Sequence, residues 1–141
     1  MLFRSDVDAY FAFEADVERV ATVLDALMLQ SPPPTPAEIR AKFEEAGILD
    51  LYASFIEGSV RALLDSRFQN ERLKAVLSTD GLIGTYGGVS SPGTAYVLVH
   101  HYLGKVLGSH GSWGYVRGGM GQITQGLAQY VQEKEIGRAH V

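Results

Sequence analysis

The residues with the clearest chemical potential lie in one short stretch, SWGYVRGGMG, at positions 112–121. Its first half predicts a strand at 113–116, in which two aromatic rings share one face and could stack on a planar ligand or pack in a core. The arginine could hold an anion, and the glycines after it leave the backbone bare for a close approach. The candidate site residues are Trp113, Tyr115, Arg117, Gly118, Gly119 and Met120.

The glycines raise the question of a nucleotide site. The dinucleotide fingerprint requires G-x-G-x-x-G after a strand, so that the backbone can approach a pyrophosphate. Gly119 and Gly121 supply the first pair, but Thr124 stands where the third glycine belongs. A glycine-rich turn that only reverses the chain therefore stays open beside a ligand-binding loop.

Other reaction chemistries find little support in the sequence. Cysteine is absent, which excludes thiolate metal sites and cysteine nucleophiles within this chain. His100 and His101 are adjacent and would point about 100° apart on a helix, so they cannot chelate one ion as an i, i+4 pair does. No G-x-S-x-G elbow is present. We predict no metal site and assign no catalytic residue.

Composition limits the classes of partner. A net charge of −4 argues against a nucleic-acid partner. The longest apolar run, AYVLV at 95–99, is too short to span a bilayer, so no transmembrane segment is predicted. The absence of cysteine favours the cytoplasm. The length of 141 residues fits one domain.

The elements that must position the stretch are mainly helical. Apolar residues at three- and four-residue steps predict a first helix from Asp6 to Met28. Thr35, Pro36 and Glu38 form a capping-box pattern for a second helix that stops at Gly47. One further helix would run from about residue 51 to 64, and Asn70 would cap the next.

The second half of the chain contains fewer regular signals. Five glycines and a proline in GLIGTYGGVSSPGTAY predict a broken helix and a loop after Asp80. A helix should follow through AYVLVHHYLGKVLG, at 95–108. The last helix would run from about Gly121 to Lys134, with Ile123, Leu127 and Tyr130 on its inner face.

Three motifs taken together resemble one region of the phytoene-desaturase-like FAD-dependent oxidoreductases. They are LKAVLSTDGLIG, SPGTAYVLVHHYLG and GSWGYVRGGMGQITQGLA, and their order and spacing make the resemblance specific. It is strong from Leu73 to Ala128 and weak through the first seventy residues. The most similar branch is that of the pyridine nucleotide-disulfide oxidoreductase domain-containing proteins.

The resemblance implies a fold and an activity. It corresponds to the helical substrate-binding insertion of an α/β flavoenzyme and its return path, so the Rossmann-like FAD domain would lie outside this sequence. The six candidate site residues match the family's aromatic, arginine and double-glycine motif, where the substrate domain rejoins the flavin domain. The implied reaction is hydride removal from a hydrophobic substrate to FAD, and we expect the isolated chain to be inactive.

The tail differs from the family pattern. Residues 136–141, IGRAHV, look like the translation of a sequencing adapter, whereas family members continue into a glycine and a strand. We therefore expect residues 1–135 to be a fragment of the substrate-binding region, with apolar faces that promote self-association. The alternative is a self-contained small helical protein that binds a ligand or a partner without catalysis.

Overall fold

The computed structural model of the protein describes residues 4–106 and 108–134, and the predicted adapter-derived tail at 136–141 lies outside them. The prediction of a mainly helical chain is confirmed. The elements are α1 (Arg4–Asp25), α2 (Pro36–Glu45), α3 (Leu49–Tyr52) with a π-helical turn (Ala53–Glu57), α4 (Val60–Asp65), α5 (Glu71–Ser78), α6 (Thr94–Tyr102), β1 (Lys105–Val106), β2 (Ser109–His110) and α7 (Gly121–Glu133). Within the described part, no helix is both long and apolar enough to cross a membrane.

The first helix, α1, forms one wall of the core. Its apolar stripe, including Phe13, Val17 and Leu24, is buried as the periodicity predicts. The ring of Phe13 packs against Phe55 and Phe68, at centroid distances of 6.2 and 5.5 Å. The stripe thereby joins α1 to the π-helical turn and to the segment that follows α4. All members of the main core cluster lie between Phe13 and Leu103.

Polar side chains fix the helix starts. Thr35 and Glu38 form the predicted capping box of α2, and the Asn70 side chain accepts the Arg72 and Leu73 backbone N–H groups at the start of α5. The buried Asp6 carboxylate accepts the N–H groups of Gln69 and Asn70, at 3.1 and 2.8 Å. These bonds satisfy donors that would otherwise be left orphaned, and they tie the start of α1 to α5.

The single helix predicted from about residue 51 to 64 is wrong. The apolar stripe is buried, but the helix breaks after Glu57, and a new helix starts with Ser59 as its cap. A Cβ on Gly58 would lie 2.5 Å from the Ser54 carbonyl oxygen, so this position tolerates only a bare backbone. The Gly58 carbonyl is free to accept the N–H groups of Gly93 and Ala95 instead, at 2.9 and 3.3 Å.

The strand predicted at 113–116 is also wrong. The described strands are β1 and β2, which form a two-residue antiparallel hairpin in the region where the sequence predicted the end of a helix. A strand needs a partner, and these two pair with each other, which leaves 112–116 without regular secondary structure, with Gly114 at its centre. Helix α6 ends at Tyr102 because Gly104 and Gly108 weaken helix propensity beyond it.

The last helix is confirmed in extent but not in orientation. No residue of α7 is buried, and the residues predicted for its inner face are exposed: Ile123, Leu127 and Tyr130. The cause is that the core closes without α7. The helix therefore leaves its apolar face exposed in the described part of the chain.

Thr94 links α6 to α4, and a substitution tests its importance. Its hydroxyl accepts the buried Val60 N–H at 2.9 Å and donates to the Ser91 carbonyl at 2.7 Å. Thr94→Val leaves the Val60 N–H without an acceptor, which should lower the free energy of unfolding by about 1–3 kcal/mol in urea denaturation. Thr94→Ser keeps the hydroxyl and is the control. Equal losses in the two variants would show that the hydrogen bond is unimportant.

Candidate functional site

The six sequence-predicted site residues lie together on one exposed segment, residues 112–120, which we call the aromatic–glycine segment. Its large side chains are exposed to solvent: Trp113 is 75% exposed, Tyr115 is 96% exposed and Met120 is 72% exposed. Arg117 is also exposed. The segment runs without regular secondary structure to Val116, turns, and enters α7. The structure therefore places the six residues along one strip of surface and does not gather them into a pocket.

The turn explains why the segment needs glycines. Gly118 and Gly119 have φ of +86° and +89°, a region that side chains with a Cβ rarely adopt. The Gly119 N–H donates to the Val116 carbonyl at 3.0 Å, which closes the turn. A Cβ on Gly118 would lie 3.1 Å from Cγ of Gln122. Chain reversal into α7 thus accounts for the two glycines by itself.

A cavity of about 240 Å³ lies beside the start of this segment, and we call it the polar cavity. It is formed by α1, the turn after α5, the end of α6 and the hairpin. Its lining residues are Tyr10, Glu14, Asp80, His101, Tyr102, His110, Gly111 and Trp113. Of the six predicted site residues, only Trp113 reaches it. The cavity combines carboxylates, imidazoles and aromatic rings, a mixture that suits ligand binding.

The hydroxyl of Tyr102 is the most perturbed group of the cavity. It donates a hydrogen bond to Glu14 at 3.3 Å. Burial raises the pKa of Tyr102 far above its usual value, and the negative charges of Glu14 and Asp80 raise it further. Burial and Glu14 also raise the pKa of Tyr10. Both phenols therefore stay neutral, and each can donate a proton in a hydrogen bond to an acceptor.

The two histidines of the cavity have different environments. His110, whose side chain is 2% exposed, bonds Glu18 of α1 through Nδ1 at 2.7 Å, while its Nε2 lies 3.9 Å from Asp25. His101 has a buried Nε2 atom without a hydrogen-bond partner among the described residues. His110 therefore holds the hairpin against α1 through Nδ1. Its Nε2, like that of His101, is buried without a hydrogen-bond partner among the described residues, so both rings keep a nitrogen available for a ligand. In the described ranges, no three His, Asp or Glu side chains are grouped to hold a metal ion.

The hairpin completes the wall of the cavity, and sequence reasoning missed it. The Gly111 N–H donates to the carbonyls of Tyr102 and Gly104, at 3.0 Å each. Lys105 pairs with Asp25 of α1 at 2.8 Å, and this hydrogen bond lowers the pKa of Asp25. The signal in the sequence was the repeated glycine at 104, 108 and 111, which marks a tight return of the chain.

A second depression, which we call the apolar groove, lies between α1 and α5. It measures about 450 Å³ and is lined by Asp6, Val7, Tyr10, Phe11, Asn70, Arg72, Leu73 and Val76. Val7, Phe11 and Val76 are exposed. Tyr10 lines both the groove and the polar cavity, so the two depressions share one wall.

Curated proteins to which the sequence is similar include those named pyridine nucleotide-disulfide oxidoreductase domain-containing protein 2 from two organisms. The protein of Mus musculus is 33% identical over 143 residues, a match that covers 89% of this chain and 25% of the relative. The protein of Rattus norvegicus is 32% identical with the same coverage. The chain thus spans about a quarter of the length of these relatives. No family model and no solved structure matches it.

The cavity wall can be tested at Gly111. Its φ is +67°, and a Cβ there would lie 2.9 Å from Cδ1 of Tyr102. Gly111→Ala should therefore lower the free energy of unfolding by more than the roughly 1–2 kcal/mol of left-handed strain, and it should shift the Tyr102 ring resonances. Gly108→Ala is the control, because it has a φ of +87° but open space around its Cβ. If both variants lose the same free energy, the contact with Tyr102 contributes nothing.

Proposed function

We propose that this chain is the helical substrate-binding part of an FAD-dependent oxidoreductase of the phytoene-desaturase-like kind. The parent protein would remove hydride from a hydrophobic substrate, and the isolated chain would be inactive. The observation that carries the proposal is the similarity of 89% of the chain to relatives named for an oxidoreductase domain. The three sequence motifs support the finer assignment. The compartment proposed for the parent is the cytoplasm.

The described residues suit one side of a flavin and not its diphosphate. Trp113 and Tyr115 offer exposed rings for contact with a planar system, and the turn at Gly118 and Gly119 offers backbone without side chains. A pyrophosphate cradle would need the third glycine that Thr124 replaces, and it would have to follow a strand. When bound, the flavin would supply the hydride acceptor; the diphosphate site belongs to the parent's other parts.

The surface features suggest how the chain would position a substrate. The apolar groove would hold the hydrophobic body of the substrate, since its exposed side chains gain from being covered. Tyr10 joins the groove to the polar cavity, and Trp113 joins the cavity to the aromatic–glycine segment. A substrate lying along the apolar groove and the polar cavity would be directed toward the aromatic–glycine segment, where Arg117 adds a positive charge.

Helix α7 supports the idea of a larger parent. Its exposed apolar residues recur at helical spacing and form one face: Ile123, Leu127, Tyr130 and Val131. Opposite them the helix is polar, with a Gln129–Glu133 hydrogen bond at 2.9 Å. We propose that the flavin-binding part of the parent covers this face. In the isolated chain, the face remains available for association with a second copy.

The alternative of a self-contained helical binding protein has one observation in its favour. The main core cluster is complete between Phe13 and Leu103, so this part of the chain could fold without a partner domain. In that case, α7 would be an appendage, and the polar cavity or the apolar groove would be the binding site. This version predicts a monomer that melts cooperatively.

Self-association separates the two candidates. We expect the isolated chain to sediment as dimers or larger species whose fraction grows with concentration. Leu127→Glu should shift the population to monomer, because it places a charge in the apolar face of α7. Gln125→Glu adds the same charge on the opposite side and should change little. A wild-type chain that stays monomeric at all concentrations would favour the self-contained protein.

Function itself is tested on the parent. Sequencing the source DNA in both directions should extend the reading frame and reveal an upstream G-x-G-x-x-G. The purified parent should carry FAD, and Trp113→Ala should slow flavin reduction by a hydrophobic substrate about ten- to a hundred-fold, through lost positioning, without lowering the FAD content.

Tyr86→Ala is the matched control, because Tyr86 is a fully exposed aromatic residue outside the aromatic–glycine segment. It should leave flavin reduction unchanged. The proposal fails if the frame closes at both ends of this chain, or if the complete parent binds no flavin. A parent that binds flavin but reduces it equally fast with Trp113→Ala would remove this segment from the site.

A further inference from the structure

We infer that the polar cavity binds an organic ammonium cation, with the quaternary ammonium of choline as its simplest probe. The inference does not rest on the proposed function, because every lining residue belongs to this chain and the cavity is present without a flavin domain. Three observations support it: carboxylates that form no salt bridge with a described residue, aromatic rings that line the same space, and the volume of the cavity.

The described lining of the cavity contains carboxylates and no permanently charged cation. Glu14 and Asp80 are its two carboxylates. Among the described lining residues there is no lysine or arginine, and the basic groups are the imidazoles of His101 and His110. Neither carboxylate forms a salt bridge with any described residue, and Glu14 accepts a hydrogen bond from the Tyr102 hydroxyl. Partly enclosed carboxylates without a counter-ion favour a cation, since the pair recovers part of their lost hydration.

The rings of the cavity favour an organic cation over a bare metal ion. Tyr10, Tyr102 and Trp113 line the same space as the carboxylates. The face of an aromatic ring attracts an ammonium group, tryptophan most strongly, and quaternary ammonium ligands are recognised in this way. Carbon-bound ammonium groups also bury apolar methyl groups against the rings. A small hydrated metal ion would gain nothing from them.

The volume of the cavity and its hydrogen-bonding groups restrict the range of ligands further. The cavity of about 240 Å³ is smaller than the roughly 300–1,000 Å³ of sites that enclose drug-sized molecules, so it fits a head group. The buried Nε2 of His101 lacks a partner in the described part of the chain. When the ring is neutral and protonated at Nδ1, this nitrogen accepts a hydrogen bond, which a hydroxyl of an amino alcohol would donate.

The chain carries a built-in reporter for the test. Trp113 is its single tryptophan and lies at the cavity, so its fluorescence responds to a ligand there. We would titrate choline into the Leu127→Glu chain, which limits self-association, at constant ionic strength. We expect the Trp113 fluorescence to change with choline concentration and to reach a plateau. The uncharged analogue with carbon in place of nitrogen should bind at least tenfold more weakly.

Variants decide whether the cavity is the site. Glu14→Gln and Asp80→Asn should each weaken choline binding several-fold at unchanged melting temperature. Glu44→Gln, an exposed carboxylate on α2, should leave binding unchanged. Trp113→Leu, followed by the choline methyl resonance, should also weaken binding. No saturable binding, equal binding of the neutral analogue, or indifference to both carboxylate changes would overturn the inference. Displacement of choline by potassium chloride alone would assign the cavity to inorganic cations and overturn it too.

Discussion

The fold depends on the junction at which the π-helical turn meets α4 and the start of α6. The helix breaks at Gly58, and the carbonyls freed by the break accept N–H groups from Gly93 and Ala95. In return, the Thr94 hydroxyl accepts the N–H of Val60. Two helix ends thus satisfy each other inside the core, where unpaired backbone groups would be costly. This reciprocal arrangement fixes where α6 begins and in which direction it runs.

The polar cavity follows from that direction. Because α6 crosses α1, its last residues, His101 and Tyr102, end beside the polar side of that helix. The hairpin then returns over the same side and is held there by the ion pair of Lys105 with Asp25 and by the hydrogen bond between His110 and Glu18. Helix α1 therefore has two functions. Its apolar stripe builds the core, and its acidic stripe, which includes Glu14, orders the only described hairpin into a cavity wall.

Local signals predicted the parts of this structure that are set locally. The capping box at Thr35 and the cap at Asn70 are confirmed because a side chain and a backbone N–H three residues away decide them. The strand at 113–116 failed because a strand needs a partner that propensity does not supply. The break at Gly58 was missed because the hydrogen bonds that stabilise it come from the backbone N–H groups of Gly93 and Ala95, far along the chain. For the site, only Trp113 was both predicted and found at the cavity, because the other walls meet through tertiary contacts.

The contrast between α1 and α7 shows what a helical pattern can and cannot specify. Both helices repeat apolar residues at three- and four-residue steps. In α1, the stripe is buried, because α2, α6 and the rings of Phe55 and Phe68 supply matching surfaces within the described chain. In α7, the same pattern stays exposed, because the core has closed before residue 121. Periodicity therefore determines that a helix forms and which of its faces is stabilised by packing against another apolar surface. Whether the contact is inside this chain depends on how much apolar surface the preceding elements leave uncovered.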